Sequence, residues 1–309
     1  MGLVAFDNQV SASFNKALSM ADAACFLAKE KGRNRVQVYH PSNTELVQQQ
    51  RDMDWATRLQ DCLAQDRIQL FGQRIYALEP DSDKTIDRYE ILARLVDTDG
   101  SLVHPGIFIP AAERFGLMPA LDLHIIQKAF QALNDLPEQH RKNTKYFVNI
   151  SGFTLGEDTL LEKIEQIIEA LPNFDPRQVC FEITETAALS NLTASQAAMK
   201  RLIALGFKFA LDDFGSGVSS FSYLRKLPVH YIKIDGEFIT HIQHDPVCRV
   251  MVEAMAKVAR TMEIATIGEF VESQAIADLL TSLGIDYGQG FGLHQPVPLS
   301  ELMPPASGR

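Results

Sequence analysis

The sequence predicts an α/β fold, a modified TIM (β/α)8 barrel with one antiparallel strand near its start. From residue 67 onward, short apolar runs rich in β-branched and aromatic residues alternate with longer segments of helical periodicity. Eight such strands in about 240 residues fit a closed barrel better than an open doubly wound sheet. The strand candidates are residues 68–75, 88–95, 145–151, 178–184, 207–213, 229–235, 263–269 and 286–293.

The connections between the candidates support this order. Only the polar stretch EPDSDKTID joins the first two strands, and because it has no room for a crossover helix, we expect them to pair antiparallel. Later connections carry helical patterns, one of which is terminated by Gly284. The apolar face of another predicted helix is formed by Val247, Val250, Met251, Ala254 and Val258.

Composition limits the function classes. With 309 residues, the chain is long enough for two average domains or for one large barrel with an appendage. Its 29 basic and 39 acidic residues give a net charge of −10. This balance argues against a protein that coats DNA, RNA or an anionic membrane by bulk charge, so an anionic ligand needs a local cationic group.

The cysteine pattern and the hydropathy of the chain indicate a cytoplasmic segment. Cys25, Cys62, Cys180 and Cys248 are far apart and form no CxxC pair, which argues against a zinc site or a disulfide framework and favours a reducing compartment. No apolar stretch reaches the roughly 18 residues that span a bilayer. The first ten residues carry no basic n-region of a signal peptide.

Two adjacent carboxylates, Asp212 and Asp213, end the strand candidate FKFALDD and precede the loop FGSG. Charges a few ångströms apart repel by about 4 kcal/mol at an intermediate effective dielectric. Proteins tolerate such a pair through solvent exposure, a shared proton or a divalent metal ion. The pair by itself leaves these alternatives open.

Polar residues also mark the ends of other strand candidates, where barrel enzymes place their chemistry. These residues are Glu90, Asn149, Glu182, Glu185, Asp212, Asp213, Lys233, Asp235, Glu269, Glu272 and Gln289. So many carboxylates facing one another require positive charge between them. Hard oxygen ligands with one amide and one lysine suit Mg²⁺ or Mn²⁺ rather than zinc.

The same motifs resemble the EAL domain, the cyclic di-GMP phosphodiesterase family, over residues 54–302. The segments EIL, VNIS, FEITET, DDFGSG, YIKIDGEFI, GEFVES and QGFGLHQP follow one another in the family's order. The resemblance implies hydrolysis of cyclic di-GMP to linear pGpG, with two Mg²⁺ or Mn²⁺ ions activating water and Ca²⁺ inhibiting. It also implies a homodimer formed through the barrel.

The resemblance further implies a role for each matching residue. The metal ligands would be Glu90, Asn149, Glu182, Asp212 and Asp213. The catalytic residues would be Glu269, which completes the site or positions water, and Lys233. The substrate would be bound by Gln73, Leu92, Arg94, Glu272 and Gln289, and Glu185 would stabilise the loop after Asp213.

Three departures from the family pattern fall close to this site. Ile91 stands where the family's name has Ala, and Val218 stands where the loop after Asp213 commonly has an aromatic ring. In the segment GEFVES, Gly268 and Phe270 replace an Ala and a Gly that are frequent in the family. Phe270 could stack on a guanine base or face the protein core. All the metal-ligand positions are present, which favours an active enzyme.

Residues 1–42 resemble the last strand, helix and final strand of a GGDEF diguanylate cyclase domain, on the segments MGLVAFD and MADAACFLAKEKGRNRVQVY. The nucleotide-binding part of that fold lies upstream and is absent, so this remnant is not expected to synthesise cyclic di-GMP. We expect a linker helix over residues 43–65 and a phosphodiesterase barrel over 54–302. A membrane anchor upstream is compatible with this organisation.

Two other functions are open at this point. A module that binds cyclic di-GMP and passes the signal to a partner without hydrolysis would share most of these motifs, although the complete ligand set argues against it. A glycosidase with paired carboxylates would use the same barrel. It would need no metal, and it would leave Asn149 and Lys233 unexplained.

Overall fold

The computed structural model of the protein describes residues 1–4, 20–21, 24–25, 28, 36–39, 44–78, 86–217 and 222–302. The expectations for Val218 and for most of the predicted cyclase remnant lie outside these residues. The chain divides into two compact units. One consists of residues 1–68 and 95–118, and the other of residues 69–94 and 119–309.

The first unit contains a two-stranded parallel sheet and two packed helices. Its elements are β1 (Gly2–Val4), β2 (Gln37–Tyr39), α1 (Thr44–Ala64), β5 (Leu102–Val103) and α2 (Pro105–Arg114). Residues 20–21, 24–25 and 28 are helical. The buried Asp52 of α1 accepts a hydrogen bond of 2.7 Å from Arg114 of α2. Helix α1 lies where the sequence predicts a linker helix, and its role as a linker stays a prediction.

The second unit is built on eight strands that close into a ring. These are β3 (Ile68–Ala77), β4 (Asp87–Val96), β6 (Thr144–Asn149), β7 (Val179–Thr184), β8 (Lys208–Phe214), β9 (Tyr231–Ile234), β10 (Ala265–Gly268) and β11 (Tyr287–Gly288). The pairs β4–β6, β6–β7, β7–β8, β8–β9, β9–β10 and β10–β11 are all parallel. β3 runs antiparallel to β11 and also pairs with β4, which closes the barrel. The predicted barrel with one antiparallel strand is confirmed.

Helices connect the parallel strands, as the crossover geometry of such sheets requires. They are α3 (Met118–Asp135), α4 (Glu138–Arg141), α5 (Gly152–Leu155), α6 (Leu160–Glu169), α7 (Glu185–Ser190), α8 (Leu192–Ala204), α9 (Gly236–His241), α10 (Pro246–Thr261) and α11 (Gln274–Ser282). The short helix α12 (Leu299–Leu302) comes after all of these strands. Two 3₁₀ turns, Pro176–Gln178 and Leu224–Lys226, and the short strand β12 (Val297–Pro298) complete the unit. No helix in the described part of the chain is both long and apolar enough to cross a membrane.

Aromatic packing joins the helices to the outer face of the barrel. The ring of Phe130 on α3 stacks on Phe174 and Phe207 at centroid distances of 4.2 and 5.6 Å, and Phe207 contacts Phe181 of β7. Phe130, Phe181 and Phe207 are almost completely buried. Each such ring removes a large apolar area from water, which stabilises the helix layer against the strands.

The structure corrects one prediction about α10. The predicted apolar face is exposed, with Val247 and Val250 each 64% and Met251 39% exposed. The helix instead buries Val252, Met255, Ala256 and Ala259. Both faces of this helix are apolar, so its periodicity could not identify which one packs on the barrel.

Candidate active site

One layer of side chains inside the barrel determines where the candidate residues lie. This buried layer contains Ile75, Phe147, Cys180, Ala210, Tyr231 and Ile267, with Tyr287 packed against it. Because strand side chains alternate between faces, the residue two positions further along each parallel strand also points inward, one layer nearer its C-terminal end. Those residues are Asn149, Glu182, Asp212, Lys233, Glu269 and Gln289. Strand β3 runs in the opposite direction, so its corresponding residue lies two positions before Ile75 and is Gln73.

The ammonium group of Lys233 lies among four carboxylates contributed by four strands. Its Nζ is 3.3 Å from both Glu90 Oε2 and Glu182 Oε2, 3.2 Å from Asp212 Oδ1 and 2.9 Å from Glu269 Oε1. Lys233 and Glu182 are fully buried. The structure therefore brings these five predicted site residues into one charged cluster.

Burial is the main influence on the pKa values of Glu182 and Glu269, and it opposes the ionisation of both. It raises the pKa of Glu182 well above its usual range and the pKa of Glu269 to about 8, although Lys233 counteracts both shifts. The pKa of Asp213 is also raised, first by burial and then by the negative charge of Asp212. These carboxylates have too little positive charge around them.

Glu90 differs from the other acids because hydrogen-bond donors surround it. Burial pushes its pKa up, but Lys233 and the side chains of Gln289 and Asn149 outweigh that effect and lower the pKa overall. Asn149 Nδ2 donates to Glu90 Oε1 at 2.9 Å, and Gln289 Nε2 donates to Glu90 Oε2 at 2.5 Å. Glu90 is thereby held in a single orientation.

The charge balance of the cluster fits divalent cations. Five ionised carboxylates beside one ammonium group leave four uncompensated negative charges, which two divalent ions would neutralise. Glu182 Oε1 is buried and accepts no hydrogen bond from the described residues. Carboxylate oxygens from Asp212, Asp213 and Glu269 all lie within 4.8 Å of one another. The donor set is hard oxygen, which suits Mg²⁺ or Mn²⁺.

A backbone irregularity brings the two adjacent aspartates together. In a regular strand, Asp212 and Asp213 would point to opposite faces of the sheet. Here the register between β8 and β9 shifts between Leu211 and Phe214, and Asp213 has a left-handed φ of 54°. Such a bulge re-aims a side chain, and aspartate tolerates this conformation better than most residues. Both carboxylates can therefore reach the same ion.

The segment QGFG forms another side of the site and depends on its glycines. A Cβ at Gly290 would lie 2.1 Å from the backbone nitrogen of Val271, and a Cβ at Gly292 would lie 2.2 Å from the carbonyl carbon of Glu272. Val271 donates to the Gln289 carbonyl at 2.9 Å, and Gly292 donates back to the Val271 carbonyl at 2.9 Å. Gln289 is therefore fixed next to the strand end that carries Glu269.

The predicted substrate-binding residues differ in how they contact this cluster. Gln289 Nε2 donates to Gln73 Oε1 at 3.0 Å, which links Gln73 to the cluster through Gln289. Arg94 is half-buried, with its guanidinium 5.6 Å from the centre of the Phe71 ring. Leu92 is half-buried and Glu272 is exposed. The hydrogen bonds and ion pairs of Lys233 among the described residues go to the four acids and not to Gln73, Leu92, Arg94 or Glu272. The roles predicted for these four residues therefore depend on a ligand.

Phe270 follows Glu269 and occupies a strained backbone position. Its φ is 51°, a conformation that bulky residues rarely adopt. The side chain is 60% exposed, so the alternative that it faces the core is wrong. One part of the ring covers Gly236, where an added Cβ would lie 2.2 Å from Cδ2 of Phe270. The frequent family glycine at position 270 would adopt this backbone without strain.

Glu185 lies beneath the loop that follows the two aspartates. It is the first residue of α7 and is almost fully buried, and its Oε2 accepts a hydrogen bond of 2.9 Å from the backbone of Gly215. A Cβ at Gly217 would lie 3.6 Å from Oε1 of Glu185. These contacts support the predicted loop-stabilising role, which stays a prediction because residues 218–221 are outside the described part.

Sequence reasoning missed two contributors to this region. Asp122 of α3 is buried and accepts hydrogen bonds from the turn that follows Asn149. The backbone oxygen of His294 accepts a hydrogen bond of 2.9 Å from Gln73. An aspartate among the apolar residues of the helix LDLHII was a usable signal for the first, whereas backbone acceptors leave no trace in a sequence.

Comparison with known proteins agrees with this architecture. The EAL domain family matches residues 57–296. The chain is 39% identical over 299 residues to cyclic di-GMP phosphodiesterase PdeB of Shewanella oneidensis, which covers 96% of this chain and 34% of that protein. It is 29% identical over 283 residues to the bifunctional diguanylate cyclase/cyclic di-GMP phosphodiesterase MucR of Pseudomonas aeruginosa, covering 92% and 40%. The chain thus spans about a third of the length of the first relative.

Solved structures give the same result. The PaMucR phosphodiesterase in complex with c-di-GMP superposes with a TM-score of 0.74 at 28% identity, covering 81% of this chain and all of that one. The FimX EAL domain from Pseudomonas aeruginosa bound to c-di-GMP superposes with a TM-score of 0.72 at 28% identity, covering 79% and 96%. On its barrel, its ordered motifs and these matches, the chain belongs to the EAL domain family.

Proposed function

We propose that this chain is a metal-dependent phosphodiesterase that hydrolyses cyclic di-GMP to linear pGpG. The observation that carries the proposal is the cluster of Glu90, Glu182, Asp212 and Glu269 around the buried Lys233, with Asp213 beside it. Relatives named as cyclic di-GMP phosphodiesterases and neighbours bound to c-di-GMP support the choice of substrate.

The ligand set divides between two ions. Glu90, Asn149, Glu182 and Asp212 would hold one Mg²⁺ or Mn²⁺ ion. Asp212 and Asp213 would hold the second, with Glu269 completing the site. When bound, such a pair activates a water molecule and stabilises the departing oxygen of a phosphodiester.

The chain's own residues supply orientation and fixed charge. Lys233 is buried and surrounded by acids, which outweigh the effect of burial and raise its pKa well above its usual range, so it stays charged. An ammonium group at this position offsets the negative charge that develops on the attacked phosphate. Glu269 would complete the site or orient the attacking water. Arg94 would bind a substrate phosphate, while Gln73, Leu92, Glu272 and Gln289 would contact the nucleotide.

The test is hydrolysis of cyclic di-GMP by the purified chain, with pGpG separated by chromatography. We expect turnover with Mg²⁺ or Mn²⁺, and loss of turnover with a chelator. Binding of cyclic di-GMP without any hydrolysis in either metal would overturn the proposal and identify a receptor module. Hydrolysis that persists in the chelator would overturn the two-metal assignment.

We also propose that the barrel forms a homodimer through the exposed face of α10. Val247, Val250 and Met251 lie at i, i+3 and i+4 and present apolar surface to solvent. A second copy could bury this face against its own, because a twofold interface pairs the same patch on both subunits. We expect sedimentation to give a dimer for the chain and a monomer for Val250→Glu. A monomeric parent chain would contradict the proposal.

The remaining proposals concern the context of this barrel. We propose that residues 1–42 are the end of a GGDEF domain, supported by the order strand, helical positions and strand, with β1 and β2 pairing parallel. We place the segment in the cytoplasm, because all four cysteines have free thiols. We propose cyclic di-GMP as the nucleotide ligand, and no polymeric DNA or RNA partner is needed for that function.

A further inference from the structure

Asp122 is a buried carboxylate on α3 that has no role in the proposed chemistry. Only 3% of the residue is exposed. Its Oδ2 accepts a hydrogen bond of 2.8 Å from the backbone nitrogen of Ser151 and another of 2.6 Å from Thr154 Oγ1. A buried acid is costly unless donors satisfy it, so its position is closely tied to those two residues.

Ser151 and Thr154 form the turn that ends β6 and begins α5. Ser151 caps this helix, because its Oγ accepts a hydrogen bond of 3.1 Å from the Thr154 nitrogen. The two hydroxyl oxygens of these residues are 2.9 Å apart. Asp122 therefore anchors a local network in which the turn and the first residues of α5 are connected.

The same turn carries Asn149, the amide in the proposed metal site. On the strand side, the Ile150 nitrogen donates to the Glu182 carbonyl at 2.9 Å. On the helix side, the Ser151 nitrogen donates to Asp122. Consecutive peptide groups after Asn149 are thus held from two directions. The Asn149 side chain extends from this clamped backbone and donates to Glu90.

We propose that Asp122 is a positioning residue, which fixes the turn after β6 so that the Asn149 amide faces the metal site. The inference rests on the proposed metal-dependent hydrolysis. A displacement of about 1 Å in a reacting group can cost a factor of about 10² in rate, and loss of partners of metal ligands typically changes metal affinity or activity by about 10–100-fold. Asp122 acts through Ser151 and Asn149 and does not touch the substrate.

The test compares three variants of the full chain by the concentration of Mn²⁺ that half-maximally raises the melting temperature. Asp122→Ala removes the acceptor. Asp122→Asn keeps an oxygen that can accept both hydrogen bonds, since both end on Oδ2. Leu133→Ala is the matched control: it opens a cavity at a fully buried position of the same helix, away from the turn.

We expect Asp122→Ala to shift the Mn²⁺ midpoint upward by about tenfold or more and to lower kcat by about 10–100-fold, with a smaller change in KM. Asp122→Asn should restore most of both values. Leu133→Ala should lower the melting temperature at every metal concentration without moving the midpoint. A purely structural role for Asp122 predicts that its alanine variant behaves like Leu133→Ala, which would overturn the inference.

Three further outcomes also have a defined interpretation. If Asp122→Ala does not fold, Thr154→Val, which removes one of the two donors, replaces it; a midpoint raised by about threefold or more supports the inference, and an unmoved midpoint overturns it. Equal defects in Asp122→Asn and Asp122→Ala would also overturn it. A parent chain without metal-dependent hydrolysis would refute the proposed function itself. A parent chain with normal hydrolysis and unaffected Asp122 variants would overturn only the inference about Asp122.

Discussion

Replacing Asp213 by Asn tests the two-ion site most directly, because the structure separates the role of this residue from folding. Asp213 is exposed, and its side chain lies within reach of Asp212 and Glu269. Its φ of 54° is one that asparagine also tolerates. The substitution would keep the shape of the side chain and remove one negative charge from the proposed ligands of the second ion.

The expected effect on stability is small. Surface substitutions of this kind usually change the free energy of unfolding by less than about 0.5 kcal/mol. Burial raises the pKa of Asp213, and the negative charge of Asp212 raises it further. Replacing Asp213 by Asn therefore also removes the repulsion between these two carboxylates. The melting temperature without metal should stay the same or rise slightly.

The expected effect on catalysis is large. Loss of one carboxylate from an ion held by few protein ligands should lower kcat by about 10² or more, the cost of a misplaced reacting group. Cyclic di-GMP affinity, measured in Ca²⁺ so that the substrate stays intact, should change less than about threefold. The assays are pGpG formation, equilibrium binding and a thermal melt.

Asp66→Asn is the matched control for this experiment. Asp66 is also an exposed aspartate in the left-handed region, with a φ of 53°, and it lies in the first unit, outside the cluster. It should leave kcat unchanged. A near-normal kcat for Asp213→Asn with Mg²⁺ would show that the second ion does not need this carboxylate, and the two-metal assignment would fail.

Three other predictions concern the metal, the ring at position 270 and the N-terminal segment. Ca²⁺ should bind the acidic cluster but inhibit, because it prefers more ligands at longer distances; full hydrolysis in Ca²⁺ alone would contradict this. Phe270→Gly should relieve about 1–2 kcal/mol of left-handed strain, partly offset by the backbone entropy of glycine, so the melting temperature should not fall; it should weaken binding by about 1–3 kcal/mol if the ring stacks on a guanine, and unchanged affinity would exclude stacking. Deleting residues 1–39 should preserve metal-dependent activity, since the proposed site residues lie between Gln73 and Gln289, and a folded but inactive deletion would refute this.

The barrel could be predicted because each strand carries its own evidence. Period-two alternation and flanking turn residues are local, and all eight strand candidates correspond to strands of the ring. The same alternation, counted from the buried layer at Phe147, Ala210 and Tyr231, identifies the inward positions of the site. The position of each strand and the face to which its side chains point could therefore be predicted, because both depend on that strand alone.

Features that depend on contacts between distant segments were not predictable in this way. The exposed face of α10 and its buried face are both apolar, so only tertiary packing decides between Val250 and Val252. Asp122 precedes Ser151 by 29 positions, and their hydrogen bond depends on how α3 packs beside β6. Nor does the sequence show that position 270 needs a left-handed backbone.

The bulge in β8 combines a feature that the sequence shows, the two adjacent acids, with one that only the structure shows, the conformation of their backbone. Adjacent acids in a regular strand would point to opposite faces of the sheet and could not share an ion. The register shift after Leu211 and the left-handed backbone of Asp213 remove that restriction, and Gly215, with a φ of 103°, lets the chain turn away directly afterwards. At this turn, Glu185 Oε2 accepts a hydrogen bond from the Gly215 backbone nitrogen. The metal-binding role that we propose for the motif DDFG therefore depends on its backbone. Two carboxylates alone would repel each other, and the bulge brings both to one place where a cation would neutralise them.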